Sequence, residues 1–487
     1  MAKILLIFPH PGGVFPRIPT SILPLAGYLL QKGIDVEIFD QQVSDVNEID
    51  PKAYDLIGFS IAFTSKQILS ALDIAKRFKN EGVKLPFIWG GVHPTITPEE
   101  TIRNRYVDII VRGEGEETLY ELIKVLSSSQ QLEKVKGITF KKNAKIISTA
   151  DRDFIDLNEL PLLPYHLLKN FDKYSELSRT PPMAPMMTSR GCPFSCGFCY
   201  NKAVNRQRFR AMSPDRVVRE MKHAIKFFGV SLLTFYEDNM FTSRERMEKT
   251  AHLIIDEGLR IKWTGSIRFD MAAELPDEFW RLMMASGFYN PSFGGESGST
   301  RILNMLDKKM SVDDMKSTIR NLKRYDNIQP YANYMFGIPH ENQKDVKKTF
   351  ELIDVLSKEN KRLFCGISIY TPYPKTPLYA EAIRLGFSPP STLEEWGNYQ
   401  YNEVSNLPWV KGHLKSMLKT VALFTHFKFN QLFMPNIDLP EKNFFYKAAK
   451  ILLTLSSQLR WRFKFFWFPL EWRLYEKILR TIGIVER

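Results

Sequence analysis

Residues 190–201 read RGCPFSCGFCYN, from Arg190 through Cys192, Cys196 and Cys199 to Asn201. This stretch holds three of the chain's four cysteines. Four cysteines in 487 residues make no disulfide framework, and a clustered trio points to metal or redox chemistry in a reducing compartment. The spacing Cys-x3-Cys-x2-Cys can wrap one metal centre. Structural zinc closes a tetrahedron of four ligands, yet the remaining cysteine, Cys365, lies far along the chain, and so do the nearest histidines, His166 and His223. Three buried structural thiols are a second reading, at odds with a loop this rich in Gly and Pro. Iron–sulfur clusters take thiolates, normally four. With three, one iron stays open to bind another molecule, and an open site on a redox centre is a catalytic arrangement.

The flanks of this loop place it on a fold. MMTSR (186–190) is a strand leading into it, and SPDRVVREMKHAIKFFG (213–229) is a helix with Ser213 as N-cap and Pro214 at its first position. SLLTFYED (231–238), IKWTGSIRFD (261–270), FYNPSFGGESG (288–298), IQPYANYMFGIPHEN (328–342) and RLFCGISIYTPYPKTPL (362–378) each carry a strand, with helical patterns between them. About six β/α units follow one another, which predicts a curved, partial (β/α)6 barrel over 184–385 with its chemistry at the carboxyl ends of the strands.

Residues 1–130 alternate in the same way: KILLIFP, DVEIFD, YDLIGFSIAF, LPFIWGG and VDIIV are strands separated by helical stretches. Such alternation predicts a doubly wound, Rossmann-like parallel sheet with ligands beyond its strand ends. Those ends carry Ser60, Thr64, Gly90-Gly91-Val92-His93 and Gly113-Glu114-Gly115-Glu116, where glycines let a large ligand approach the backbone. Residues 131–183 read as a hairpin and a proline-marked linker, and 386–487 as a helical, basic and aromatic C-terminal region.

Composition agrees with a globular, cytoplasmic protein. The 44% hydrophobic and 13% aromatic content fills sizeable cores. The N-terminus reads as a first strand rather than a signal peptide, and no apolar run reaches the ~18 residues of a spanning helix. Of the net charge of +13, +9 falls in 410–487, where fourteen Lys and Arg stand against five Asp and Glu.

Cys192-x3-Cys196-x2-Cys199, with Phe198 before the last cysteine, resembles the hallmark of the radical S-adenosylmethionine (SAM) enzymes. The resemblance implies that the three cysteines hold a 4Fe–4S cluster whose open iron chelates SAM, with Phe198 and Tyr200 beside it. It also implies SAM contacts from Glu237, Asp238 and Asn239 on the second strand and from Ser266 and Arg268 on the third. Gly294, Gly295, Glu296 and Ser297 would supply others from the fourth strand, Ile338 from the fifth and Tyr370 from the sixth. Glu296 has a plainer alternative as a solvated loop carboxylate.

The N-terminal stretches GGVHPTITPEE and DIIVRGEGEET resemble the cobalamin-binding domain of one branch of that family. This implies that Ser60, Thr64, Gly90, Gly91, His93, Gly113, Glu114 and Glu116 contact cobalamin; for His93 an ordinary turn histidine is an equal reading. Free-standing cobalamin domains often use Asp-x-His-x-x-Gly with a cobalt-bound histidine. Here Phe8 stands where the aspartate would, so His10 lacks the acceptor that orients a metal-bound imidazole and is not expected on the metal. Cys365 reads as a small buried hydrophobe, and no second cysteine group offers an auxiliary cluster.

Together the resemblances imply an anaerobic enzyme that methylates an unactivated carbon of a hydrophobic or secondary-metabolite substrate. A 5′-deoxyadenosyl radical would open the C–H bond, cobalamin would supply the methyl group, and a flavodoxin- or ferredoxin-type protein the electrons. The alternative in the same family is oxidative ring closure or rearrangement, as in the anaerobic cyclase of bacteriochlorophyll synthesis; a non-catalytic corrinoid-binding sensor is a lesser one. Nucleic acid is disfavoured because no recognisable RNA-binding module accompanies the charge. The tail interleaves Arg460, Arg462, Lys464 and Arg473 with Phe465, Phe466, Trp467, Phe468 and Trp472. That pattern reads as a helix packed on the barrel or, alternatively, as one lying peripherally in a membrane interface.

Overall fold

The first strands are short apolar runs: β1 (Lys3–Phe8), β2 (Asp35–Asp40), β3 (Leu56–Ser60), β4 (Phe87–Gly90) and β5 (Ile109–Val111). They are buried almost throughout, as strands of a parallel sheet covered on both faces must be. A computed structural model describes residues 2–12, 17–62, 64–128, 131–174, 183–399, 402–428 and 444–464, with Phe466 and Leu470 beyond. The side chains of residues 422–451 and of 453 are outside the description, as are Phe465, Trp467, Phe468, Trp472 and Arg473 of the tail.

The chain divides into two compact units. One comprises Met1–Pro193, Tyr200–Asp238 and Pro389–Gln400; the other comprises Phe194–Cys199, Asn239–Ser388 and Tyr401–Arg487. The division interleaves the chain, whereas the four expected segments run in chain order.

In the first unit β1 lies between β2 and β3, with Lys3 opposite Asp35 and Ile4 opposite Leu56, all parallel. β4 and β5 continue the parallel order. The expected hairpin forms as β6 (Ile138–Lys142) and β7 (Lys145–Ser148), turning at Asn143 and Ala144, both with positive φ. It extends the sheet antiparallel to β5, giving the order β2-β1-β3-β4-β5-β6-β7. The strand order reverses at β1 and β3, so the crevice beyond their carboxyl ends is where ligands bind such sheets.

The same unit contains β8 (Ala184–Met186), β9 (Ser189–Arg190), β10 (Arg210–Ala211) and β11 (Leu232–Phe235). β8 and β11 pair parallel, while β9 and β10 form a small antiparallel ladder with Arg190 opposite Arg210. The helix Pro214–Phe228 between them starts and stops as its sequence dictates. Ser213 Oγ accepts from Arg216 N at 3.4 Å, Pro214 opens the helix, and Gly229 closes it in the left-handed region.

The second unit carries β12 (Lys262–Ser266), β13 (Phe288–Glu296), β14 (Tyr331–Phe336) and β15 (Phe364–Ile369), each parallel to the next. Capping boxes begin two of its helices: Ser311 with Asp314 before Val312–Leu322, and Asn342 with Asp345 before Gln343–Glu359. Counted along the chain, β8, β11, β12, β13, β14 and β15 make the six expected parallel strands. Among the described residues the C-terminal region carries the helices Leu393–Asn398, Gly412–Lys428 and Phe444–Phe463.

One position shows how tightly a strand end is specified. Gly91 has φ of +104°, and a Cβ there would meet the Ile61 carbonyl oxygen at 2.4 Å. Gly91→Ala is therefore expected to cost about 2–3 kcal/mol through steric overlap and backbone strain. Gly113→Ala, whose Cβ would meet nothing within 4 Å, should cost about 1 kcal/mol. Denaturant unfolding of the two variants measures the difference.

Candidate active site

A cavity of about 340 Å³ opens within the first unit at the carboxyl edge of its main sheet. Its apolar floor includes Leu6, Ile22, Ile88, Val111 and Leu119. Ser60 lies on its wall, its hydroxyl 3.1 Å from that of Ser21. Gly90, Gly91, Gly113, Glu114 and Glu116 also line it, and the open space over Gly113 leaves the backbone accessible to a large planar ligand.

Two expected contacts are elsewhere. Thr64 and His93 are not among the lining residues, and both are buried. His93 Nδ1 lies 3.0 Å from Thr64 Oγ1, and Nε2 lies 3.2 Å from Thr97 Oγ1. Burial pushes His93 down to about 3, so the ring is neutral and each nitrogen has a hydroxyl partner. The Trp396 ring stands edge-on to it at 5.6 Å. Trp396 comes from the helix Leu393–Asn398, which returns to this unit nearly three hundred residues later and donates from Nε1 to Glu100 at 2.9 Å. His10 Nδ1 accepts from Gly12 N at 3.0 Å.

The cavity's other wall is built from residues next to the cysteine loop: Ser189, Arg190, Gly191, Tyr200, Tyr236, Glu237 and Asp238. Tyr200, Glu237 and Asp238, expected around SAM, thus share one cavity with the residues expected around cobalamin. Glu237 accepts from Thr188 N at 2.5 Å and Thr188 Oγ1 at 2.6 Å, and also from the Ser189 hydroxyl. Asp238 accepts from Gly191 N at 3.1 Å. Asp238 is exposed at the cavity wall, and the desolvation it retains there raises its carboxyl above its ordinary range against that backbone donor, so a cation placed beside it would be favoured.

Arg190 was not singled out by the sequence. Its guanidinium donates to Glu114 at 2.9 Å and to Glu116 at 2.6 Å, and Arg210 pairs with Glu114 at 2.8 Å. Burial raises the Glu114 carboxyl, but the two guanidiniums outweigh it and hold Glu114 below the usual carboxylate range. Just beyond Arg190, Cys192 N donates to Asn201 Oδ1 at 3.2 Å, and Asn201 Nδ2 donates back to Cys192 O at 2.5 Å.

The rest of the cysteine loop belongs to the second unit. Gly197 N donates to Leu306 O at 2.8 Å, Leu378 N donates to Gly197 O at 3.0 Å, and Cys199 N donates to Cys196 O at 3.0 Å. Arg268 stands 3.7 Å from Cys196 Sγ, stacks 3.7 Å over the Phe194 ring and pairs with Asp270 at 2.8 Å. Lys308 lies 5.5 Å over the Phe198 ring. Two cations thus border sulfurs that carry negative charge when they ligate iron. Cys192, Cys196 and Cys199 are all partly accessible, whereas Cys365 is buried in β15. Among the described residues no three His, Cys, Asp or Glu side chains converge as they would on a single ion; a four-iron cube spreads its thiolates more widely and requires no such convergence.

The remaining expected residues are held within this unit by one another. Glu296, at φ +57°, pairs with Lys308 at 2.7 Å, both buried. Gly294 abuts that pair, and Gly295 lies against the Tyr334 ring. Ser297 Oγ is 3.2 Å from Thr349 Oγ1, and Ser266 ends β12. Asn239 is buried, its amide donating to Met271 Sδ at 3.3 Å. Ile338 and Tyr370 are buried, Tyr370 with its ring 6.2 Å from Trp409. Trp409 Nε1 donates to Gly337 O at 3.0 Å, and Glu341 Oε2 accepts from Gly337 N at 2.6 Å, so the Gly337-Ile338 turn is clamped from both sides. Burial pushes Glu341 up to about 8.

Two family models match the chain. Residues 186–353 match the Radical SAM superfamily, and residues 17–123 match the B12 binding domain. An uncharacterized methyltransferase of Pyrococcus horikoshii is 30% identical over 78% of this chain and 83% of its own length. The anaerobic magnesium-protoporphyrin IX monomethyl ester cyclase of Rubrivivax gelatinosus is 25% identical over 78% of this chain and 70% of its own. The cobalamin-dependent SAM radical enzyme OxsB, solved with aqua-cobalamin and SAM bound, shares the fold at a TM-score of 0.74 and 16% identity, over 99% of this chain and 75% of its own.

Arg190→Ala strips Glu116 of the partner described here while Glu114 keeps Arg210, and should destabilise the first unit by about 3–5 kcal/mol, read as a shift in the guanidinium unfolding midpoint. Glu341 gives a pH signature. Its folded pKa of about 8 lies above an unfolded value of about 4.3. The folded chain therefore binds the extra proton between those values, and stability falls as pH rises through that window. Glu341→Gln keeps an acceptor for Gly337 N and should flatten that slope in urea unfolding measured at about pH 5 and about pH 8.5.

Proposed function

We propose that this chain, which belongs to the cobalamin-binding radical SAM family, methylates an unactivated carbon of a small, lipid-like substrate. When bound, the cluster with SAM supplies a carbon radical able to open an inert C–H bond, and cobalamin supplies the methyl group. The observation that carries the reading is the single cavity lined both by Ser60, Gly90, Gly91, Gly113, Glu114 and Glu116 and by Tyr200, Glu237 and Asp238. Two cofactors that act on one carbon need such shared space.

In this reading Cys192, Cys196 and Cys199 hold the cluster, and Arg268 offsets charge at Cys196. Asp238, a carboxylate on the cavity wall whose partial desolvation favours a cationic neighbour, binds the SAM ammonium with Glu237 and Asn239. Phe198, Ser266, Gly294, Gly295, Glu296, Ser297, Ile338 and Tyr370 line or support the remainder of the SAM site. The Glu296–Lys308 pair acts as a support, since each already satisfies the other. The glycine-rich strand ends and Glu114 and Glu116 cradle the corrin. Thr64 and His93 support that cradle from behind, with His93 neutral and already bonded at both nitrogens. An exogenous flavodoxin- or ferredoxin-type protein delivers the electrons. The similarity to a cyclase favours a second reading, oxidative ring closure, on the same residues.

The deciding experiment is an anaerobic, reduced assay with isotopically labelled SAM against lipid and small-molecule extracts. A product heavier by one labelled CH2 unit is expected, whereas loss of hydrogen without added carbon would select ring closure. Iron content provides the companion measurement. Cys192→Ala, Cys196→Ala and Cys199→Ala should each abolish cluster assembly and SAM cleavage, while Cys365→Ala leaves the cluster intact. Cluster loss in Cys365→Ala alone would overturn the three-cysteine assignment.

A further inference from the structure

The helix Phe444–Phe463 has two unlike faces. Inward, Trp461 is 3% exposed, its ring 5.3 Å from Phe350 and its indole donating to Asp354 Oδ1 at 2.6 Å. Lys464 donates to the other Asp354 oxygen at 2.6 Å, and Phe466 packs on the same Phe350 ring at 5.3 Å. These contacts are those of a helix packed on the body of its unit. Outward, Leu452, Leu455, Leu459 and Phe463 are 66%, 52%, 56% and 70% exposed.

The spacing of the four is three, four and four residues. At about 100° per residue they fall within an arc of about 80°, on the side opposite Trp461, with Arg460 and Arg462 on the two flanks. A helix on a water-soluble surface turns its apolar stripe inward and its polar face out. Here the inward face is already anchored by Trp461, and a second, contiguous apolar stripe points away from it. A stripe of that kind is made for a partner.

Charge selects the partner. Residues 444–464 carry five Lys and Arg and no Asp or Glu. Lys464 is already paired with Asp354, and a second copy of the helix would add further cations beside the remaining four, so self-pairing is opposed. The stripe is Leu and Phe only, without the hydrogen-bonding groups that orient a specific protein partner. It suits a medium that is apolar below and anionic at the rim. No described helix is long and apolar enough to cross a bilayer, so the fitting placement is in the interface plane.

We propose that the Leu452–Leu455–Leu459–Phe463 face seats in the interface of an anionic membrane, with Arg460 and Arg462 at headgroup level. The lipid-like substrate reading above rests on other residues; this inference deepens it by bringing the enzyme to the phase in which such a substrate dissolves.

The test is co-sedimentation of the full-length protein with vesicles of phosphatidylcholine alone or mixed with phosphatidylglycerol, no substrate being present. Wild type should pellet with the anionic vesicles, and less so as salt rises. The double substitution Leu455→Glu/Leu459→Glu should lower partitioning by about tenfold or more, with an unchanged circular dichroism spectrum because both positions are exposed. Arg460→Glu/Arg462→Glu should remove the preference for anionic lipid. Absence of wild-type binding, equal binding to neutral vesicles, or full binding by the leucine variant would overturn the proposal. So would a wild-type dimer that the leucine variant converts to monomer, which would assign the stripe to a second copy. Methylation of detergent-dispersed extract is measured separately, so failure of vesicle binding leaves the reaction reading standing.

Discussion

The part-buried ion pairs of Arg190 with Glu114 and Glu116 tie the start of the cysteine loop to the glycine-rich turn of the first unit. Arg190 precedes the Gly191-Cys192 turn, and the two glutamates occupy the glycine-rich turn after β5. Charges so largely removed from water persist only when paired, so the glycine-rich turn and the strand that delivers the first cysteine are held in register. Arg210 adds a second guanidinium to Glu114 and lies 3.9 Å over the Phe154 ring, which extends the link into the segment after the hairpin. The shape of the cavity depends on this cluster, because its residues are at once wall and brace.

The other carboxylates of the cavity wall differ in how they are held. Glu237 is held in place by the Thr188 and Ser189 donors, whereas Asp238, exposed on the cavity wall, accepts from Gly191 N and has its carboxyl raised by partial desolvation. In the second unit Arg268 and Lys308 bring positive charge to the loop that carries Cys196 and Cys199. Negative charge on the cavity wall and positive charge beside the cysteine loop are thus set by local groups rather than by the net charge of the chain.

Motifs that act through their own backbone were legible from the chain. The cysteine trio, the glycine-rich strand ends, the Ser213-Pro214 helix start and the six strand–helix repeats are local patterns, and each is where the sequence placed it. Residues whose role depends on a distant partner were not. Arg190 reads as an ordinary residue before a glycine until Glu114 and Glu116 come beside it. His93, in a suggestive Gly-Gly-Val-His turn, is buried between Thr64 and Thr97 and beneath Trp396, a residue from a helix no local pattern connects to it.

The tail divides in the same way. Its aromatics and cations at helical spacing announced an amphipathic helix, but composition does not say which face is anchored. That was decided by Asp354 and Phe350 on the neighbouring helix, which capture Trp461 and Phe466 and so turn the leucine stripe outward. The sequence by itself determined the family, the clustered cysteine trio and the order of strands and helices, because these reside in short stretches whose chemistry is carried by their own residues. Only the tertiary structure decided that Tyr200, Glu237 and Asp238 share one cavity with the glycine-rich strand ends and that a helix near residue 396 completes the first unit. Burial, ion pairing and the direction of a helical face arise from residues far apart in the chain, and no spacing along it encodes which of them will meet.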